Sequence, residues 1–167
     1  KLVRGLTRGD GLNGDNITKN LKTISSIPIK LSETFKKNKF EIRGEIIIPL
    51  DSFDQLNKKR KDNGEQPFMN PRNTASGSIK MLDSNEVARR PLECFLYSIV
   101  SDDIAIENHS ELLNLAREMG FNVPNYERVV KSIQGVKEYI KYWEKNRDTL
   151  PFEIDGVVIK INKIDYQ

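Results

Sequence analysis

FEIDGVVIKIN, residues Phe152–Asn162, reads as a β-strand with one residue out of place. Alternation puts Ile154, Gly156, Val158 and Lys160 on one face and Asp155, Val157, Ile159 and Ile161 on the other. A lysine thus shares the apolar face that the pattern expects to be buried. An isolated buried charge is expensive, so the pattern calls for an anionic partner or a wet edge. Fold and function both turn on what that anion is.

A chain of 167 residues has room for one domain with a real core, and no linker long enough to divide it is visible. With 37% hydrophobic and 31% charged residues the composition is that of a folded protein. No apolar run reaches membrane-spanning length, and the start, KLVRGLTRGDG, has no signal-peptide organisation. The chain does not begin with Met and opens inside what reads as a strand, as expected of a piece of something longer. Cys94 is the only cysteine, which excludes an intramolecular disulfide and zinc sites built from several thiolates. That favours a reducing, cytoplasmic setting. The single histidine, His109 in ENHSELL, reads as a solvated helix-start residue with Asn108 or Ser110 as cap, rather than a catalytic base.

The net charge of +3 hides an asymmetry. Residues 1–90 carry 18 Lys and Arg against 11 Asp and Glu; residues 91–167 carry 9 against 13. A basic half suits phosphates or nucleic acid, and equally a solvated lysine-rich surface.

Outward from the quoted stretch the pattern is mixed α+β. KLVRGLT predicts a short strand, and Ile17, Leu21 and Ile24 predict a helix after the turn. FEIRGEIIIPL, Phe40–Leu50, is the strongest strand, stopped by Pro49. DSFDQLNKKRKDNG predicts a helix capped at Asp51 or Ser52 and ended at Gly64. NPRNTASGSIK reads as a loop, and LECFLYSIV, Leu92–Val100, as a second apolar strand. ELLNLAREMG is a helix closed by Gly120. Val136, Tyr139, Ile140 and Trp143 share one helical face, read as packing.

Two segments invite chemistry. In FEIRGEIII, alternation separates an apolar face, Phe40, Ile42, Gly44, Ile46 and Ile48, from one bearing Glu41, Arg43, Glu45 and Ile47. Gly44 lets something approach the backbone closely. With Lys160 on another strand, Arg43 and Glu45 would line a cleft between two sheets. The turn TRGDGLNGD holds Gly9, Gly11 and Gly14, which predicts amides free to meet a phosphate. It is not a Walker loop, because no Gly-Lys-Ser/Thr follows.

TRGDG, EIRGE, NPRNTASGSIK, FLY and DGVVIK, in this order over the whole chain, resemble the adenylation domain of bacterial NAD-dependent DNA ligases. The resemblance implies a covalent nucleotidyltransferase fold, an ATP-grasp-like arrangement of antiparallel sheets flanked by helices. Residues 1–167 would be a partial, single adenylation domain. The anion facing Lys160 would be the α-phosphate of the adenylyl group. The same resemblance makes Val158 a packing residue for adenine, Tyr97 the stacking aromatic, and Glu45 the acceptor for ribose hydroxyls. Arg8 would orient the nucleotide, and Arg72, Lys80 and Arg147 would meet DNA and phosphate. Lys80 stands where many relatives have arginine, keeping the charge but losing the bidentate fork. Asp155, the acid of the DGVVIK motif, is counted with Lys160 as catalytic. NAD and Mg²⁺ are the implied cofactors and nicked duplex DNA the implied partner. A nicotinamide-binding region, OB-fold, zinc and C-terminal modules would complete a monomeric protein of the bacterial cytoplasm.

The family's nucleophile is the lysine of a KxDG motif, and no KxDG occurs here. RGDG (Arg8–Gly11) and EIDG (Glu153–Gly156) have the wrong first residue, since neither arginine nor glutamate forms a lysyl-AMP equivalent. The expectation is a fragment that cannot adenylate itself. Two rivals stand beside it: an ATP-dependent ligase or capping-type nucleotidyltransferase, and a non-catalytic DNA-binding module.

Overall fold

At the centre of the computed structural model, which describes residues 1–35, 39–101 and 103–167, two antiparallel strands form a ribbon. They are β1 (Glu41–Ile47) and β2 (Glu93–Val100). Around them lie α1 (Thr18–Leu21), α2 (Leu50–Asp62), α3 (Pro71–Ile79), α4 (Ser84–Ala88), α5 (His109–Glu118) and α6 (Ile133–Asn146). The chain is therefore mixed α and β with a small antiparallel sheet. None of its described helices is long and apolar enough to cross a membrane.

The alternation in β1 survives in part: Gly44 of the apolar face is exposed, and Ile47 of the other face is half-buried. Glu41, Arg43 and Glu45 are exposed, while Ile42, Ile46 and Ile48 turn inward. In β2 it does not: Leu96 and Ile99, three residues apart, are both buried. The cause is a β-bulge. Arg43 pairs with Ser98 and Gly44 with Leu96, leaving Tyr97 as the extra residue. The Leu96 amide donates instead to the Asn122 carbonyl at 2.9 Å. Bulges re-aim side chains, and this one leaves Tyr97 exposed.

Two hydrophobic clusters meet the ribbon. One joins Ile17, Ile24, Ile48, Phe53, Ile79 and Val87 from α1 through α4; the other joins Leu96 and Ile99 to Leu112, Leu113, Ala116 and Met119 around α5. Burying each large aliphatic side chain contributes about 1.5–3 kcal/mol. α5 stops where Gly120 takes φ 87°, a backbone that favours glycine.

Several expectations are corrected. NPRNTASGSIK is not a loop but α3. The Asn70 side chain accepts from the Asn73 amide at 2.8 Å, and Pro71 opens the first turn, where a missing N–H costs nothing. α2 begins at Leu50 with Pro49 at the capping position, rather than at Asp51 or Ser52. KLVRGLT forms no strand, only an isolated bridge between Leu6 and Asn16. The helix after it, α1, has a single turn, although Ile17 and Ile24 are buried.

The largest correction concerns Phe152–Asn162, which is not assigned as a strand. No described strand pairs with it, and alternation describes one chain without supplying a ladder partner. The face expected to be buried is open at its far end: Gly156 and Lys160 are exposed and Val158 is 83% exposed, while Ile154 is half-buried. The segment is nevertheless held. The Leu50 amide donates to the Pro151 carbonyl at 2.9 Å, and the His109 amide to the Asn162 carbonyl at 2.7 Å. Ile164 packs against the α5 cluster.

Candidate functional site

The polar face of the ribbon carries the candidate site. Glu45 is directly opposite Phe95 in the register, and antiparallel partners share a face. Arg43, also on this face, gives a 2.8 Å hydrogen bond to Glu41, which pushes its guanidinium pKa further up. Gly44 sits between them for a reason internal to the sheet. A Cβ there would lie 2.8 Å from the Phe95 carbonyl and 2.9 Å from the Cys94 sulfur. The close approach expected at this glycine is thus made by β2 itself.

The segment after Pro151 reaches this ribbon. Phe152 packs edge-on against Phe95, with ring centres 4.8 Å apart. Further along, the Lys160 ammonium lies 5.8 Å from the centre of the Tyr97 ring, within cation–π range. The lysine's companion is therefore the aromatic face exposed by the bulge. Lys160 also sits near His109 on α5, whose imidazole pKa is pushed below its ordinary value, first by burial and then by the lysine's charge. His109 does start a helix, but it is half-buried rather than solvated.

Between Phe152 and Lys160, two arginines grip the chain. Arg72, second residue of α3, is ion-paired with Asp155. Arg147 donates to the Ile154 carbonyl at 3.0 Å. Both side chains expected on a phosphate-facing surface thus converge on one short turn. Lys80 caps the other end of α3, roughly 12 Å along the helix axis, and its Nζ lies 3.3 Å from the Asp15 carboxylate. α3 therefore spans from the Asp155 turn to the glycine-rich loop that carries Arg8.

That loop is closed on itself. The Gly11 amide donates to the Arg8 carbonyl at 3.1 Å, and the Asp10 carboxylate accepts from the Leu12 and Asn13 amides at 2.9 and 2.6 Å. These bonds, the one from Asn13 foremost, hold the Asp10 carboxyl below its ordinary pKa. The expected free amide nest is absent at these positions, because a side-chain anion already occupies it. Gly9 and Gly14 are fixed by crowding, since a Cβ would fall 1.6 Å from the Asn13 carbonyl oxygen or 2.0 Å from that of Thr7.

Val158 does not share a lined cavity with Tyr97. It lines a cavity of about 220 Å³ with Tyr126, Tyr139, Trp143, Phe152 and Gly156, in which neither Glu45, Tyr97 nor Lys160 takes part. The rings of Tyr126 and Trp143 meet edge to face at 5.4 Å. The apolar face of α6, read from sequence as packing, is half-open here, and α6 has no buried residue. Two sequence signals pointed to this cavity: the helical spacing of Tyr139 and Trp143, and the alternation that put Ile154, Gly156 and Val158 on one face. Tyr126 reaches it from a loop, where no periodicity could find it.

Cys94 lies where a thiolate is disfavoured. Burial, and secondarily the charge of Glu45, push its pKa up to about 11. Among the described residues no group of three or more His, Cys, Asp or Glu side chains is placed to hold a metal ion.

Residues 1–167 match the family model of the NAD-dependent DNA ligase adenylation domain. A DNA ligase from Flavobacterium psychrophilum is 50% identical over 167 residues, covering 100% of this chain and 25% of that protein. A DNA ligase from Christiangramia forsetii is 51% identical over 166 residues, 99% of this chain and 25% of its own length. One from Staphylococcus saprophyticus is 45% identical over 168 residues, again 100% of this chain and 25% of the relative. The chain spans about a quarter of the length of these curated relatives. It belongs to the family of NAD-dependent DNA ligase adenylation domains.

Proposed function

We propose that this chain is the nucleotide-holding part of a bacterial ligase that seals nicks in duplex DNA at the expense of NAD. The observation that carries the reading is the meeting of Lys160 and Tyr97 on the Glu45-bearing face of the ribbon. An ammonium beside an open aromatic face suits a phosphate joined to a base, and a nearby carboxylate suits ribose hydroxyls. The fold of the whole adenylation domain is ATP-grasp-like, with 1–167 a partial single domain of it.

Ligation proceeds in three steps. A lysine takes AMP from NAD, AMP passes to the 5′-phosphate of the nick, and the 3′-hydroxyl displaces it. Each step places negative charge on phosphate oxygens. Lys160 offsets that charge, with Asp155 assigned to the same centre, while Tyr97 stacks on the base and Glu45 accepts from the ribose. Val158, on the neighbouring aromatic cavity, covers the adenine edge, and Arg8 on its loop orients the nucleotide. Magnesium accompanies this chemistry in the family, but the described residues form no cluster to hold it, so no step is assigned to it.

Arg72, Lys80 and Arg147 contact the DNA backbone. The pairs they make are weak restraints: the Arg72 and Asp155 side chains are 65% and 80% exposed, and such pairs contribute only about 0–1 kcal/mol. A phosphate can therefore compete for them. The remaining ligase modules, a monomeric state and a cytoplasmic location complete the proposal.

The test is product analysis on the full-length ligase. Release of nicotinamide mononucleotide with formation of lysyl-AMP supports the reading. Release of pyrophosphate from ATP would reassign it to the ATP-dependent class, and nick binding without either product to a binding module.

A further inference from the structure

Helix α5 is capped from outside. The first four amides of a helix have no partner within it. Asn108 occupies the capping position, yet its side chain makes no capping bond; its Nδ2 instead donates to Glu111 at 3.1 Å. The first two helical amides go elsewhere. His109 donates to the backbone carbonyl of Asn162 at 2.7 Å, and Ser110 to the Asn162 side-chain Oδ1 at 3.0 Å. One asparagine, more than fifty positions along the chain, therefore supplies two acceptors to one helix end.

The same residue stands two places beyond Lys160. Around it the chain is tied repeatedly to α5: Lys163 bridges Asn108, the Ile164 amide donates to the Glu107 carbonyl at 2.8 Å, and Ile164 enters the α5 cluster. On the other side of Lys160, the Asp155 turn is held by Arg72 and Arg147. Among the described residues no backbone ladder steadies the stretch between, so the lysine depends on anchors at its two ends. Asn162 is the nearer one.

We infer that Asn162 is a positioning residue for Lys160: by capping α5 in trans, it fixes the lysine's backbone relative to β2 and holds the ammonium over Tyr97. The inference rests on the reading of Lys160 as the lysine that faces the phosphate. Asn162 itself touches no nucleotide in this account. Its side-chain oxygen acts through the helix, and an asparagine suits the task because its amide oxygen accepts without bringing a second charge near Lys160.

The test uses the full-length ligase and two readouts. Amide hydrogen exchange in peptides covering residues 109–113 reads the cap. Asn162→Ala should speed exchange there by about tenfold, and Asn162→Asp, which keeps a capping oxygen, should restore most of the protection. Single-turnover AMP transfer from NAD reads the positioning. Asn162→Ala should slow it about tenfold in the presence of Lys160, but no more than about twofold in a Lys160→Ala background, because both changes remove the same contribution. Equal losses in the two backgrounds, unchanged transfer, or unchanged exchange would each overturn the inference. If Lys160→Ala alone leaves transfer intact, the reading of Lys160 falls instead, while the exchange experiment still decides whether the cap exists.

Discussion

Lys160 and Tyr97 meet although no strand ladder joins their two segments. Tyr97 is the extra residue of a bulge, and Lys160 lies on a segment outside the sheet. Their 5.8 Å approach gives an exposed ring with a cation at its face. In the full-length ligase, Lys160→Ala should lower AMP transfer by roughly two to three orders of magnitude, the scale of losing one preorganised charge stabiliser. Tyr97→Phe keeps the stacking face and should retain most activity. Tyr97→Ala should cost about tenfold or more, as expected for a lost base stack. Rapid-quench measurement of lysyl-AMP decides between these outcomes.

The Arg72–Asp155 pair leads to a prediction about salt. Duplex binding should be independent of sequence and fall steeply between low and physiological salt, because phosphate contacts release counterions. Arg72→Ala should weaken binding to all sequences and flatten the salt dependence by about one unit of slope. Asp155→Asn should leave that slope unchanged or increase it, since it frees the guanidinium. A binding titration over several salt concentrations checks both, and an affinity insensitive to salt contradicts the electrostatic account.

Gly44→Ala should destabilise the ribbon. Its new methyl group would press on the Phe95 carbonyl at 2.8 Å and the Cys94 sulfur at 2.9 Å, and backbone cannot step aside as a side chain can. Overpacking of this kind costs about 1–3 kcal/mol. Urea unfolding should show the midpoint falling with an unchanged slope. The neighbouring Arg43→Ala, on the exposed face, should have little effect.

These three sites show what a sequence yields and where it stops. The outward face of Glu41, Arg43 and Glu45 was legible because two-residue periodicity is a property of one strand. α3 was not: its Asn, Gly, Ser and Pro content suggests a loop, while the decisive signal is positional, an asparagine cap followed by proline in the first turn. Phe152–Asn162 failed in the opposite sense. Its pattern is that of a strand, but a strand needs a partner, and pairing is not written in the segment itself. The approach of Lys160 to Tyr97 is written in neither segment's own pattern, and the trans cap by Asn162 left no local signal.

His109 supplies a pH dependence. Burial and the Lys160 charge lower its pKa in the folded state below the ordinary value near 6.5. The unfolded chain therefore binds the proton more readily. The contribution of a neutral His109 to stability is full above about pH 6.5 and declines as the pH falls from there toward the lowered folded value. His109→Gln should flatten this part of the stability–pH curve and leave the alkaline side unchanged. Denaturant midpoints at a series of pH values measure it, and a curve identical in the two proteins would remove His109 from the account.

The last prediction concerns an adduct that should not form. Incubated with NAD and Mg²⁺, residues 1–167 should remain unadenylated. Attack on the α-phosphate needs an amine with a free lone pair aimed at phosphorus, and the family's lysine for this is the first residue of KxDG, which the sequence does not contain. Lys160 is the lysine at the site, and its proposed work is the opposite: as an ammonium it offsets charge on the phosphate oxygens and has no lone pair to offer. Arg8 opens the RGDG that most resembles the missing motif, and a guanidinium is a donor with no lone pair to offer phosphorus. Joining a KxDG-bearing segment and the nicotinamide-binding region to the chain should restore AMP transfer, and Lys160→Ala should then suppress it. Intact-mass spectrometry reads each case as the presence or absence of one AMP. An adduct on the chain as it stands, mapped by peptide sequencing to Lys160, would mean that this lysine attacks phosphorus rather than screening its oxygens.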